Sequence, residues 1–206
     1  MPAKPCGYES TTERQREMSL WRWISTVLLR SSGIENPKAE IKPEGTTAEK
    51  GCFHGRSFVL DGTNIALLHG PKYPELRYVL AIAVHLRENG AALSCFFDAN
   101  TLYLFRDHRR EQEACFERLI SEQPWAACFR VVPGGTQADP WILEQAKKDG
   151  ADVISNDRFK DRAKAHRWIW KRRHGLEVDR GALQIPSLHL SLEPLARPED
   201  YLRAGF

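Results

Sequence analysis

Five aspartates stand where short apolar runs give out. Asp61 follows the run 57–60 and opens Asp61-Gly62-Thr63-Asn64, and Asp98 follows the run 92–97. Asp139 lies just past Pro133-Gly134-Gly135, which closes the run 128–132. Asn156 and Asp157 follow the run 152–155, and Asp161 comes four residues after Asp157. Carboxylates held near one another repel, and at least one takes up a proton unless a cation neutralises the group. Oxygen donors select hard divalent cations, here Mg²⁺ or Mn²⁺. The set contains no His or Cys, which argues against zinc. One or two such ions would acidify a water and stabilise charge on a phosphate during in-line displacement.

Taken singly, each aspartate is as well explained by a cap or a turn. Asp139 opens a helix, and Asp61-Gly62 is a common turn pair. Acidic ends from four separate segments are hard to produce by capping alone. The joint reading is a metal site built from Asp61, Asp139, Asp157 and Asp161, with Asp98 as a fifth acid.

For these acids to meet, the runs before them must lie side by side. Residues 57–60 (SFVL), 92–97 (ALSCFF), 128–132 (CFRVV) and 152–155 (DVIS) are short and continuously apolar, as in strands buried on both faces. Residues 74–88 place Leu76, Val79, Leu80, Ala83, Val84 and Leu86 near helical spacing and stop at Asn89-Gly90. Residues 110–121 and 138–148 predict two further helices, the second ended by Gly150, and 183–190 predict one or two weaker strands. Strands alternating with helices imply an α/β fold with a mostly parallel sheet covered on both faces. Right-handed crossovers bring the loops after the strands out at one edge, where ligands bind.

A basic stretch begins beside the last two acids. Arg158, Lys160, Arg162, Lys164, Arg167, Lys171, Arg172 and Arg173 are interleaved with Trp168 and Trp170. Such a mixture suits phosphate contact and base stacking. The expected nucleic-acid-binding residues are Arg158, Lys160, Arg162, Lys164, Arg172 and Arg173. A solvated helix face with its tryptophans in the core is the plainer account. The position next to the acids favours the functional one.

Together these motifs carry a family resemblance. SFVLDGTNIALLHG and TQADPWILEQAKKDGADVISNDRFKD resemble the NYN branch of the PIN nucleases, and in particular the catalytic domain of Regnase-type CCCH-zinc-finger ribonucleases, over about residues 56–190. The specific marks are DGTN after the first strand and SNDRFKD, with its two aspartates four apart, after the fourth. The resemblance implies a PIN-like three-layer α/β/α sandwich and Mg²⁺-dependent endoribonuclease activity. Carried over, Asp61, Asp139, Asp157 and Asp161 are the catalytic metal-site acids, and Asn64 orients them. Regnase-type members often have two consecutive acids where this chain has Asp139-Pro140, so the number of ions stays open. No CCCH finger is present, so RNA selection by such a finger does not carry over.

The remaining sequence narrows the class. A chain of 206 residues, 42% hydrophobic and 28% charged, suits a globular protein, and a net charge of +3 is too small to name a partner. The expected organisation is an N-terminal extension over 1–55, a short Trp-rich helix plus linker, followed by a PIN-like nuclease domain over 56–206. No apolar run reaches the roughly 18–20 residues of a membrane span; the segment 20–29 is short and interrupted by Arg22. Five cysteines without metal-finger spacing, two of them in apolar runs, point to reduced thiols and a cytoplasmic protein. Without a Walker or GxGxxG loop, nucleotide-driven chemistry is unsupported. RNA is the expected partner, with room left for a homodimer or a regulatory protein. A DNA- or structure-specific nuclease and a non-catalytic nucleic-acid-binding scaffold are the alternatives, since nothing in the sequence reads a 2′-hydroxyl.

Overall fold

In the computed structural model, which describes residues 51–204, Ser57–Asp61 forms β1 at the centre of a five-stranded sheet. Phe58, Val59 and Leu60 are all buried. A strand covered on both faces needs apolar side chains at successive rather than alternate positions, which is why the run is continuous. β2 (Ala92–Phe97), β3 (Phe129–Val131), β4 (Asp152–Ile154) and β5 (Arg173–His174) run parallel to it, in the order β3-β2-β1-β4-β5.

Helices fill the crossovers. α1 (Gly62–Ala66) and α2 (Leu76–Glu88) lead from β1 to β2, and α3 (Thr101–His108) and α4 (Arg110–Ser121) lead from β2 to β3. α5 (Ala138–Asp149) links β3 to β4, and α6 (Ile169–Arg172) leads into β5. Side chains alternate across each strand and so divide between two cores. Phe58, Leu60, Cys95, Phe97 and Phe129 pack with α2 and α4. Val59, Phe96 and Val153 pack with Ile142, Leu143 and Ala146 of α5. The result is the three-layer α/β/α arrangement about a parallel sheet that the sequence predicts.

The order of the strands creates the crevice. From β1 to β2 to β3 the chain adds strands on one side of β1, with the connecting helices on one face. α5 then crosses the opposite face and sets β4 against the free side of β1. Right-handed crossovers require that change of face when the direction reverses. The reversal leaves a gap above the carboxyl ends of β1 and β4.

Several elements go beyond the sequence reading, among them α1, which opens where Asp61-Gly62 reads as a turn pair, and α6. α3 has its apolar residues bunched at Leu102–Phe105 rather than spaced on one stripe, so periodicity does not mark it. β5 is only two residues long. The 183–190 region becomes β7 (Ala182–Ile185) and β8 (Leu190–Leu192), joined by β6 (Glu177–Asp179) in a second, antiparallel sheet. β6 and β7 turn at Arg180-Gly181, both at positive φ, a primed hairpin turn without its usual Asn-Gly signature. A further helix, α7 (Pro198–Ala204), follows near the end of the chain. Of the expected N-terminal extension over 1–55, residues 1–50, with the Trp-rich helix, lie outside the described residues. Among the described residues no helix is long and apolar enough to cross a membrane.

Candidate active site

The carboxyl edge is held together by a short chain of hydrogen bonds. β1 and β4 are in register at Leu60 and Ile154, so Asp61 and Ser155 come next at the same level. The Ser155 hydroxyl donates to Asp61 Oδ2 at 2.7 Å, and its oxygen accepts from the Asp157 N–H at 2.9 Å. Asp61 Oδ1 caps α1 by accepting from the Asn64 N–H at 3.2 Å. The Asn64 side chain reaches across the gap, where its Oδ1 accepts from the Asn156 N–H at 2.8 Å. The loops after β1 and β4 are therefore tied twice. Gly62, just after β1, packs against β2: a Cβ there would lie 2.4 Å from the Phe97 ring and 2.8 Å from Cys95 Sγ.

The other acids arrive from neighbouring segments. Asp98, after β2, accepts from the Ala138 N–H at 2.8 Å and so caps α5. Its own N–H donates to Thr63 Oγ1 at 2.7 Å, and Thr63 meets Thr101 at 2.8 Å. Asp139 follows in the first turn of α5, half-buried, with Arg162 Nε 3.9 Å from its Oδ2. Asp157 Oδ1 accepts from the Phe159 N–H at 2.7 Å. This turn lets Phe159 take a left-handed backbone conformation and bury its ring beneath α5. Asp161 sits exposed in the helical turn Lys160–Arg162.

Electrostatics links these positions. Burial pushes the Asp61 carboxyl up to about 7, against the pull of Ser155 and Asn64, and Asp139 and Asp98 push it further. Asp139 is also raised, first by burial and then by Asp157, with Arg162 opposing and Asp98 and Asp161 adding. Asp61 and Glu75 are the buried carboxylates among the described residues, and they contrast. Glu75 is neutralised by Arg77 and Arg109, whereas Asp61 has no cationic partner among the described residues. Among those residues, no three His, Cys, Asp or Glu side chains already converge as a ready-made ion cage. The donor chemistry nevertheless fits a hard cation. Only oxygen donors are present, the deepest is an uncompensated carboxylate, and Asp139 keeps both oxygens free of protein hydrogen-bond donors among the described residues.

The basic stretch divides by position. Arg158, Lys160 and Lys164 are exposed on the turn that carries Asp157 and Asp161, and Arg162 lies between Asp139 and Gln137. Arg172 sits beside Gly150, where α5 ends, away from the carboxyl edge. Arg173 enters β5 and gives Nη1 to the Ser155 carbonyl at 2.8 Å. Trp168 packs against the α5 core, while Trp170 is 53% exposed. Ser155 is the site residue that the sequence reading passes over. A serine closing an apolar strand carries no signal of its own; only its register with Asp61 exposes its role.

The family of Zc3h12a-like ribonuclease NYN domains matches residues 54–176, well over half of the chain. This chain belongs to that family. Its NYN ribonuclease domain, so delimited, starts just ahead of β1, ends just after β5, and contains all five aspartates of the edge. No curated protein sequence matches it. Among solved structures it is similar to nuclear proteinaceous RNase P 2 (PRORP2) from A. thaliana, with 15% identity, 92% of this chain covered and a TM-score of 0.48. It is also similar to a second structure of the Arabidopsis thaliana nuclear protein-only RNase P 2, with 16% identity, 88% covered and a TM-score of 0.49. In both cases the chain spans 38% of the matched chain.

Proposed function

We propose that this NYN domain is a metal-dependent endoribonuclease that hydrolyses RNA phosphodiester bonds at the carboxyl ends of β1 and β4. The observation that carries the reading is Asp61, a buried carboxyl raised to about 7 by burial and by Asp139 and Asp98, with no cationic partner among the described residues. Asp61, Asp139, Asp157 and Asp161 would hold a divalent cation, Mg²⁺ or Mn²⁺, with Asp98 completing the acidic surround. The cation supplies positive charge that acidifies water and offsets charge on the phosphate.

The chain's own residues do the rest. Asn64 and Ser155 hold the two loops in register, so that Asp61 and Asp157 approach from fixed directions. Arg162, 3.9 Å from Asp139, would balance the phosphate's charge as a water oxygen bonds to phosphorus and the bond to the leaving oxygen breaks. Arg158, Lys160 and Lys164 bind backbone phosphates alongside, with Arg172 and Arg173 contributing at longer range. A cytoplasmic location belongs to the same reading, supported by the free thiols of Cys52, Cys95, Cys115 and Cys128.

The test is incubation of the full chain with labelled RNA and DNA in Mg²⁺, Mn²⁺ or EDTA. Internal cuts in RNA that require Mg²⁺ or Mn²⁺ and vanish with EDTA are expected. Equal cutting of DNA would move the assignment to a general nuclease, and no metal-dependent cleavage of either polymer would overturn it.

A further inference from the structure

A groove lies on the α5 face of the sheet, outside the acidic edge. β3 is the outermost strand, and α5 packs on β1 and β2, leaving a trough of about 440 Å³ between the helix and the edge strand. Val132 and Pro133 line its apolar part, and Trp141, Glu144 and Lys148 face it from the helix. Their spacing of three and four residues places these three on one side of α5. Arg130 faces it from β3, on the opposite side of the strand from the core residue Phe129.

The chemistry of this lining is specific. Trp141 is 44% exposed on a helix whose other large apolar residues, Ile142 and Leu143, are buried. No cation or ring stacks on its indole among the described residues. Arg130 and Lys148 are exposed and form no ion pair among those residues; the guanidinium has one long contact, 3.4 Å to the Ala127 carbonyl. An open aromatic face, two unpaired cations and one carboxylate acceptor match a nucleotide. A base would stack on the indole, its phosphates would meet Arg130 and Lys148, and Glu144 would accept from an exocyclic amine. The volume falls in the range of small-ligand sites. A base within a duplex already has both faces stacked, so only an unpaired base fits.

We infer that this groove is a subsite for one unpaired nucleotide of the RNA next to the cleavage position. The inference rests on the ribonuclease reading above. Continuity supports that occupant: Trp141 lies two residues after Asp139 on α5, about 3 Å further along the helix axis, and Val132 and Pro133 of the groove directly follow the carboxyl end of β3. Charge complementarity favours RNA over a peptide strand added to β3, which would leave Arg130 and Lys148 without partners.

The experiment measures binding of the full chain to a labelled ten-nucleotide single strand of RNA in EDTA, where no cleavage occurs. Trp141→Ala should weaken binding roughly five- to a hundred-fold, while Trp141→Phe stays within about three-fold of the parent. Arg130→Gln should also weaken binding and flatten the salt dependence by about one unit. A blunt RNA duplex should bind all four proteins alike. Equal single-strand affinity for the parent, Trp141→Ala and Arg130→Gln, all with parental melting temperatures, would overturn the subsite while Mg²⁺-dependent cleavage by the parent left the ribonuclease reading intact. A Trp141→Ala protein that loses self-association in sedimentation but not RNA affinity would overturn it too, making the groove an interface between copies. A parent that cleaves no RNA would remove the reading beneath both.

Discussion

Asp61 is the deepest carboxyl of the acidic edge, and its ionisation has a measurable consequence. Its carboxyl moves from an ordinary 3.8 to about 7 on folding. Between those values the folded protein keeps a proton that the unfolded chain has released. Stability from this group is therefore complete below about pH 4 and is lost as pH rises through 7, by about 1.4 kcal/mol for each unit of separation. Asp139 is displaced in the same direction. Asp61→Asn cannot ionise, so in EDTA its melting temperature should gain on the parent from pH 4.5 up to about pH 7 and the gain should level off above that. Mg²⁺ should narrow the difference by stabilising the parent. Parallel curves of melting temperature against pH would show that the carboxyl is not buried uncompensated. The aspartates were legible in the sequence because each follows an apolar run, whereas their partners were not. Ser155 and Thr63 act through contacts across 94 and 35 residues of chain, to Asp61 and Asp98, and no local pattern encodes such a pairing.

At the scale of elements, legibility followed periodicity. The bounds of β2 and α4 are legible because the one is a continuous apolar run and the other keeps a helical period. α3, β5 and the Arg180-Gly181 hairpin lack those signals. The joint between β1 and α1 shows how closely an element boundary is determined by what packs behind it. Gly62 opens the helix, and its missing side chain leaves room for the Phe97 ring, whose Cε1 would stand 2.4 Å from a Cβ. Alanine gains about 1 kcal/mol in helix propensity over glycine, yet overpacking a filled core costs about 1–3 kcal/mol. Gly62→Ala should therefore lower the melting temperature by several degrees, and Phe97→Leu in the same chain should restore part of the loss. A Gly62→Ala protein as stable as the parent would mean that the ring is not held where it is described.

At the scale of the molecule, the sequence predicted alternating layers but not the strand order, and the order is what makes the crevice. The reversal at β1 depends on which side of β1 the strand after α5 joins, a choice no single segment reveals. The basic surface is likewise a property of the whole. Arg158, Lys160 and Lys164 stand clear of the core beside the acidic edge. Replacing all three by glutamine should leave stability within about 0.5 kcal/mol. The same change should flatten the dependence of RNA affinity on salt by roughly one unit per lost contact. An unchanged slope, read by titration at several salt concentrations, would make this surface a solvated face only.

The most direct measurement is single-turnover RNA cleavage in Mg²⁺ by the full chain and by Asp61→Asn and Asp157→Asn, each checked for folding and for RNA affinity in EDTA. Substitution keeps the shape of each side chain and removes the charge that a cation needs. A rate loss of at least about 100-fold is expected in both variants, equivalent to roughly 3 kcal/mol or more in the barrier, with RNA affinity unchanged. Folded variants that bind RNA and cleave it at the parental rate would contradict this expectation, and the acidic edge would not be the active site.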